Sequence, residues 1–141
     1  MLCLDTNVVI GILNGRPEAV RRNLAAALAE GEQVTVSSIV LFELWYGAAK
    51  SGRPAENAER IRIFLSGQIE ILSFESEDAK EAGHLRTVLE KAGTPIGPFD
   101  VLIAAQALRW QAPVVTANAS EFDRVQGLIR LDWSRNRDGD A

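Results

Sequence analysis

Leu4-Asp5-Thr6-Asn7-Val8, close to the start of the chain, is the stretch that decides the fold. The four residues before Asp5 are apolar and predict a short buried strand, while Thr6 and Asn7 are typical of a helix start. One or two apolar helical turns follow over residues 8–13. The pattern is therefore strand, acid and helix, with Asp5 at the carboxyl end of the strand.

Asp5 has two interpretations. The carboxyl edge of an open α/β sheet is where ligands bind, and a carboxylate taken out of water needs a partner. One hypothesis is therefore that Asp5 is the first ligand of a metal site. The alternative is an acidic helix cap, which is common at this position. This stretch alone favours neither interpretation.

Length and composition fit one globular domain of 141 residues, of which 47% are hydrophobic and 24% are charged. The sequence has no apolar run of about 18 residues, so no membrane span is predicted, and Asp5 interrupts the apolar start, so no signal peptide is predicted. The single cysteine, Cys3, has no partner for an internal disulfide, which favours a cytoplasmic protein with Cys3 in its core. The net charge of −4 argues against a general nucleic-acid coat. A nuclease stays open, because divalent cations can reverse the field of an acidic site.

Strands and helices alternate along the chain, which predicts an α/β fold with a mostly parallel sheet covered on both faces. Helices are predicted over about 17–30, 39–50, 55–66, 76–91 and 99–110, and a short turn or helix over 121–123. The later strands are predicted over 34–36, 69–72, 114–116 and 128–131. The helix over 39–50 is apolar nearly all round, which is typical of a helix that is buried on most sides or meets a partner. The domain is predicted to span 1–133, followed by a polar and mobile tail over 134–141.

Two further acids stand where a solvated surface charge is hard to explain. Glu43 lies among the large apolar residues of the helix over 39–50, and a buried carboxylate without a partner is unfavourable. A functional role is therefore the favoured interpretation of Glu43. Asp100 lies in the first turn of its helix, where the helix dipole favours an ionised carboxylate. Charge matching alone would explain Asp100, but that explanation weakens beside Asp5 and Glu43.

A fourth polar group follows the strand over 114–116. Asn118 and Glu121 have the three-residue spacing of a capping box, and the same oxygens could instead face a cation. Both interpretations stay open. Carboxylates without a cluster of His or Cys suit the hard cations Mg²⁺ and Mn²⁺, and the only histidine, His84, is expected at or near the surface. Acidic residues with Mg²⁺ indicate phosphoryl-transfer chemistry, whereas no Gly-x-Ser-x-Gly or phosphate-loop motif is present.

Four blocks of the sequence, in order along almost the whole chain, resemble the PIN-domain family and more narrowly its VapC ribonuclease toxins of bacterial type II toxin–antitoxin systems. The resemblance implies a Rossmann-like α/β/α sandwich of about five strands and RNA cleavage that depends on Mg²⁺ or Mn²⁺. The blocks are Leu4-Asp5-Thr6-Asn7-Val8, Ser37-Ser38-Ile39-Val40-Leu41-Phe42-Glu43-Leu44 with Gly47, Gly97-Pro98-Phe99-Asp100-Val101-Leu102-Ile103-Ala104-Ala105, and Val115-Thr116-Ala117-Asn118 with Glu121-Phe122.

The resemblance also implies roles for individual residues. Asp5, Glu43 and Asp100 would form the acidic core, with Asp5 and Asp100 as metal ligands and Glu43 positioning a water or the metal. Thr6 would orient Asp5 or a water. Asn118 stands where the family often has a fourth acid, and this departure leaves open whether one or two metals bind and whether Glu121 contributes as a ligand.

Partners follow from the same resemblance. The family implies a cognate VapB-like antitoxin, whose segment would contact a groove lined by Leu41, Phe42, Leu44, Trp45 and Tyr46, and a homodimer formed by other helices. Core packing explains these apolar residues equally well. The alternatives are a receiver-like module, a PIN fold that binds without cleaving, and a PIN nuclease that cleaves DNA. The receiver pattern fits poorly, because no acidic pair precedes Asp5 and no Lys follows Lys91.

Overall fold

Five parallel strands form the central sheet of the computed structural model, which describes residues 1–135. The order in the sheet is β3-β2-β1-β4-β5, and every neighbouring pair is parallel. The central strand is therefore β1, the strand that ends at Asp5. The strands are β1 (Leu2–Leu4), β2 (Val34–Ser37), β3 (Ile69–Leu72), β4 (Val114–Val115) and β5 (Arg130–Leu131).

Seven helices within residues 1–135 complete an α/β/α arrangement, which confirms the predicted fold class. Their bounds agree with the predicted ranges to within one or two residues, as expected where helix ends fray. No helix of the described residues is long and apolar enough to cross a membrane. The helices are α1 (Thr6–Asn14), α2 (Glu18–Ala29), α3 (Ser38–Lys50), α4 (Pro54–Leu65), α5 (Ser76–Lys91), α6 (Pro98–Arg109) and α7 (Ala119–Phe122).

The core lies between the sheet and its helices. All residues of β1, β2 and β4 are buried, as expected for inner strands of a parallel sheet. Helix α6 buries the small residues Ala104, Ala105 and Ala107 completely, which lets its backbone approach its neighbours closely. Cys3 is buried in β1 and is a core residue, as predicted, and burial raises the pKa of its thiol.

The prediction was wrong about the extent of the fifth strand. Leu128 and Ile129 precede β5 and follow a turn in which Gly127 adopts a left-handed conformation, with φ of +84°. The carbonyl of Ile129 still accepts a hydrogen bond from the Val114 N–H, at 2.9 Å. Strand β5 is therefore a two-residue edge strand, because the turn at Gly127 delays regular pairing with β4.

The segment after β5 is anchored to α2. The side-chain amide of Asn23, which is buried, donates to the carbonyl of Trp133 at 2.9 Å and to that of Arg135 at 3.1 Å. Trp133 is itself part of the core. Of the tail predicted to be mobile, residues 136–141 lie outside the described residues.

The sheet order creates a crevice beside β1. The chain runs outward from β1 to β2 and β3, and then crosses to β4 and β5 on the other side of β1. Ligand sites of open α/β sheets lie at the carboxyl ends of the strands where the order reverses in this way. Asp5 follows β1 and Thr116 follows β4, so both lie at this reversal.

Candidate active site

Asp5 is fixed by two donors at the carboxyl end of β1. Its Oδ1 accepts the backbone N–H of Thr6 at 2.8 Å, and its Oδ2 accepts the hydroxyl of Thr116 at 2.9 Å. Only 3% of the residue is exposed. The first bond makes Asp5 the N-cap of α1, and the second ties it to the end of β4. Asp5 is therefore a helix cap, and it also lies at the sheet edge where a ligand site is expected.

Glu43 is brought to Asp5 by Thr6. The hydroxyl of Thr6 donates to Glu43 Oε1 at 2.7 Å, a bond between α1 and α3. Glu43 is partly buried, and this bond fixes one of its two carboxylate oxygens. Thr6 was expected to orient Asp5 or a water, and the structure shows that its backbone contacts Asp5 while its hydroxyl orients Glu43.

Asp100 lies in the first turn of α6, one turn after Gly97. A Cβ atom on Gly97 would lie 3.1 Å from Asp100 Oδ2 and 3.7 Å from Glu121 Oε1. The first distance is tighter than an ordinary van der Waals contact. Glycine at this position therefore leaves room for two carboxylates against the backbone.

Asn118 caps α7, as one of the two sequence interpretations expected, but the capping box is incomplete, because the backbone N–H of Asn118 donates to Thr116 and not to the side chain of Glu121. Asn118 Oδ1 caps α7 by accepting the backbone N–H of Glu121 at 3.4 Å. The Asn118 amide nitrogen donates to Glu121 Oε2 at 3.1 Å, and the Gly97 N–H donates to Glu121 Oε1 at 3.1 Å. Both residues are thus next to the acidic site, and the Asn118 side chain is engaged in holding α7.

The carboxylates perturb one another. Burial raises the pKa of Asp5, against the hydrogen bonds from Thr116 and Thr6 and together with the charges of Glu43 and Glu121. Burial, a hydrogen bond with Glu121 and the neighbouring negative charges raise the pKa of Asp100 to about 8. The hydrogen bond with Asp100 lowers the pKa of Glu121, with help from Asn118 and the Gly97 N–H. In the metal-free protein these opposite pKa shifts favour a proton on Asp100 over one on Glu121.

This donor set fits a hydrated hard cation. Within residues 1–135, no group of three or more His, Cys, Asp or Glu side chains could hold a metal ion as it stands. Magnesium usually takes one or two protein carboxylates, keeps several waters and gains further ligands from substrate phosphates. Four neighbouring carboxyl groups, Asp5, Glu43, Asp100 and Glu121, offer oxygen donors alone and suit such an ion, and they do not form a closed cage of ligands.

Thr116 is a site residue that the sequence interpretation missed. It is 1% exposed; its hydroxyl donates to Asp5 Oδ2 and accepts the backbone N–H of Asn118 at 3.0 Å. Its position at the end of the strand predicted over 114–116 is the only local signal. That signal becomes informative once β4 is known to be the neighbour of β1.

An aromatic surface borders the acids. Phe42 and Tyr46 of α3 are 53% and 57% exposed and stack with ring centroids 6.3 Å apart. The centroid of Phe42 lies 5.5 Å from that of Phe99, so the surface continues to the residue before Asp100. Leu44, which was predicted to line a partner groove, is instead buried, because it faces the core side of α3.

Comparisons with known proteins agree with this geometry. Residues 2–128 match the family model of the PIN domain. The chain is similar to ribonuclease VapC2 of Rickettsia felis, with 40% identity over 94% of this chain and 97% of that protein. It is also similar to the tRNA(fMet)-specific endonuclease VapC of Shigella flexneri, with 40% identity over 93% of this chain and 96% of that protein.

Solved structures give the same result. The crystal structure of VapBC2 from Rickettsia felis bound to a DNA fragment from its promoter matches with a TM-score of 0.87 and 39% sequence identity. The match covers 94% of this chain and 98% of that chain. With its parallel sheet, its acids at the carboxyl edge and this identity over nearly its whole length, the chain belongs to the PIN-domain family and, within it, to the VapC ribonucleases.

Proposed function

We propose that this protein is a metal-dependent endoribonuclease, the toxin of a type II toxin–antitoxin system, which hydrolyses RNA phosphodiester bonds and is neutralised by a VapB-like antitoxin. The observation that carries the proposal is the Thr6 bridge, which joins Asp5 and Glu43 at the carboxyl edge where Asp100 also lies. The names of the relatives, ribonuclease and tRNA-specific endonuclease, support RNA as the substrate.

Asp5 and Asp100 would hold Mg²⁺, for which Mn²⁺ could substitute, with Glu43 and Glu121 as the other acids in reach. When bound, the cation offsets charge on a phosphate oxygen and lowers the pKa of a water. Asp5 is held rigidly by Thr6 and Thr116, so it needs little reorganisation. Glu43 has one oxygen fixed by Thr6, and its other oxygen can orient a water or accept its proton.

The antitoxin would cover the exposed part of α3. Phe42, Trp45 and Tyr46 are all exposed, and Leu41 is partly buried beside them. An exposed aromatic cluster of this kind is typical of a partner surface. The similar Rickettsia felis structure is a VapBC complex, which supports a VapB-like partner. We also propose a homodimer within the complex and a cytoplasmic location, where RNA and antitoxin are both available.

The test is cleavage by the purified protein of total tRNA and of single-stranded DNA, each with Mg²⁺ and with a chelator. We expect RNA cleavage that needs the cation, and its loss in Asp5→Asn and Asp100→Asn. Glu81→Gln, on the exposed face of α5, is the matched control and should cleave as wild type does. Full RNA cleavage and toxicity of the two Asp variants at equal expression would exclude the proposed mechanism. Cleavage of DNA alone would favour a DNA nuclease, and no cleavage would favour a binding module.

A further inference from the structure

We infer that Glu121 is a positioning residue, which holds the start of α6 and with it Asp100, and that Asn118 is the donor that keeps Glu121 in this position. Of the two tests of this inference, only the one that measures RNA cleavage rests on the proposed nuclease function. It decides a question that the sequence leaves open, because Glu121 could equally have been a metal ligand. It also gives a physical reason for the amide of Asn118.

Both oxygens of Glu121 are engaged by this chain. Oε1 accepts the N–H of Gly97 and Oε2 accepts the amide of Asn118, each at 3.1 Å. The two bonds fix the orientation of the carboxylate, and turning it toward a cation in the crevice would leave the donors of Gly97 and Asn118 without this partner. The carboxylate is therefore better suited to stay between Gly97 and Asn118.

The bond to Gly97 acts on the first turn of α6. Gly97 is the N-cap of this helix and has no side chain to cap it, while its carbonyl accepts the Val101 N–H at 3.0 Å. A helix start leaves backbone N–H groups unsatisfied, and here Glu121 satisfies the one at the N-cap. Fixing Gly97 fixes the turn that carries Asp100, three residues later.

Helix α7 is a firm support for this bond. Phe122 is 1% exposed and packs in the core, directly beside Glu121. Arg124 donates to the carbonyl of Pro95 at 2.6 Å, so α7 and the residues after it contact the loop before α6 at two points. The loop rich in glycine and proline is thereby held by side chains rather than by regular structure.

Asn118 suits this arrangement better than an acid. Its oxygen caps α7 while its nitrogen donates to Glu121 Oε2. With Asn118→Asp, two carboxylate oxygens would face each other at about the 3.1 Å of the present bond, and like charges at this distance repel. In Glu121→Gln, the amide oxygen can still accept the Gly97 N–H. The amide nitrogen then faces the side-chain nitrogen of Asn118, and two donors cannot form a hydrogen bond with each other.

The decisive experiment exchanges the amide of Asn118 and the carboxylate of Glu121. In the double variant Asn118→Asp/Glu121→Gln, the introduced carboxylate caps α7 and accepts the introduced amide, while the amide oxygen still accepts the Gly97 N–H. Net charge is unchanged. We expect each single variant to lose about 10- to 100-fold in RNA cleavage, the range for residues that orient metal ligands, and the double variant to regain most of that loss. A double variant as inactive as Glu121→Gln, with equally weakened Mn²⁺ binding, would mean that Glu121 is a ligand and would overturn the inference.

A second measurement needs neither RNA nor metal. Hydrogen exchange of the Gly97 amide in the metal-free protein should be slow in wild type and in the double variant, and at least about tenfold faster in Glu121→Ala. Unchanged exchange in Glu121→Ala would overturn the inference, whatever the activities. If the wild type cleaves no RNA, the proposed function fails, and the exchange rates still decide whether Glu121 positions α6. Far-UV circular dichroism of every variant establishes that it is folded.

Discussion

Thr6 donates its hydroxyl to Glu43 Oε1 at 2.7 Å, across 37 residues of sequence. The same residue donates its backbone N–H to Asp5 Oδ1. One threonine at the start of α1 therefore connects the central strand with α3, and it fixes the relative position of two acids that come from different parts of the chain. The structure therefore predicts that the hydroxyl of Thr6, rather than the size of its side chain, is what the site needs. Loss of this hydroxyl would leave Glu43 without the donor that orients it.

Thr6→Val removes the hydroxyl and keeps the shape. We expect RNA cleavage to fall by about 10- to 100-fold, because Glu43 loses the donor that orients it. Thr6→Ser should retain most activity. The measurement is kcat/KM on an RNA substrate. Thr87→Val, at an exposed threonine of α5, is the matched control and should have no effect. Wild-type activity of Thr6→Val would show that the bridge to Glu43 has no role in cleavage.

Gly97→Ala tests the close approach of the backbone to two carboxylates. The added methyl group would lie 3.1 Å from Asp100 Oδ2, so Asp100 must move by a few tenths of an ångström. Displacements of about 1 Å at a reacting centre cost about 100-fold, and we expect a loss of cleavage of about tenfold for this smaller one. Stability should change little.

The control for this substitution is Gly83→Ala on the exposed surface of α5, where an added Cβ meets no atom within 4 Å. It should leave cleavage unchanged and stabilise the helix slightly, by up to about 1 kcal/mol. If Gly97→Ala cleaves as the wild type does while Gly83→Ala behaves as expected, the room beside Gly97 is not needed for the site.

The stability of the metal-free protein should fall as pH rises from about 4 to about 8. The pKa of Asp100 is raised from 3.8 to about 8, chiefly by burial, so in this window the folded protein holds a proton that the unfolded chain has lost. Stability decreases with pH wherever the folded state binds more protons. Asp5 adds to the effect because its pKa is also raised. Glu121 has a lowered pKa and is ionised in both states over most of this window.

Urea denaturation in a chelating buffer at several pH values measures this dependence. Asp100→Asn should make it shallower without abolishing it, because Asp5 remains. A dependence that is unchanged in Asp100→Asn would contradict the assignment of the raised pKa to Asp100.

Asn23→Ala should destabilise the protein by about 1–3 kcal/mol, the range for leaving buried polar groups without a partner. The substitution removes both donors to the carbonyls of Trp133 and Arg135. Equilibrium denaturation measures the loss, and tryptophan fluorescence in a background with Trp45 and Trp110 replaced by Phe reports release of the segment around Trp133. Asn7→Ala, at an exposed asparagine of α1, is the control. Equal stability of both variants would show that the anchor at Asn23 contributes nothing.

The fold class and the candidate acids Asp5, Glu43 and Asp100 could all be predicted from the sequence. Each acid stands in a setting that local pattern can identify: Asp5 after an apolar strand, Glu43 inside an apolar helix, and Asp100 in the first turn of a helix. Hydrophobic periodicity likewise located the helices. These features depend on neighbours along the chain, so reading the chain in order recovers them.

The remaining features depend on contacts between distant segments. Thr116 gains its role because β4 lies beside β1, and the order of strands is not encoded in either strand. Asn118 and Glu121 stayed ambiguous because a capping box and a pair facing a cation use the same spacing. The exposed and buried sides of α3 could not be separated either, since Leu44 and Phe42 are both apolar and only packing distinguishes them.

The central position of β1 has a consequence for how the protein opens. Both edges of the sheet are weak: β5 has two residues, and Glu70 and Ile71 of β3 are exposed. Local unfolding begins where few buried contacts hold the backbone, so it should start at these edges and reach β1 last. Transient fraying of the outer strands therefore leaves Asp5 and Thr116 in register, and the geometry of the candidate site should persist in partly open states that a protease could already attack.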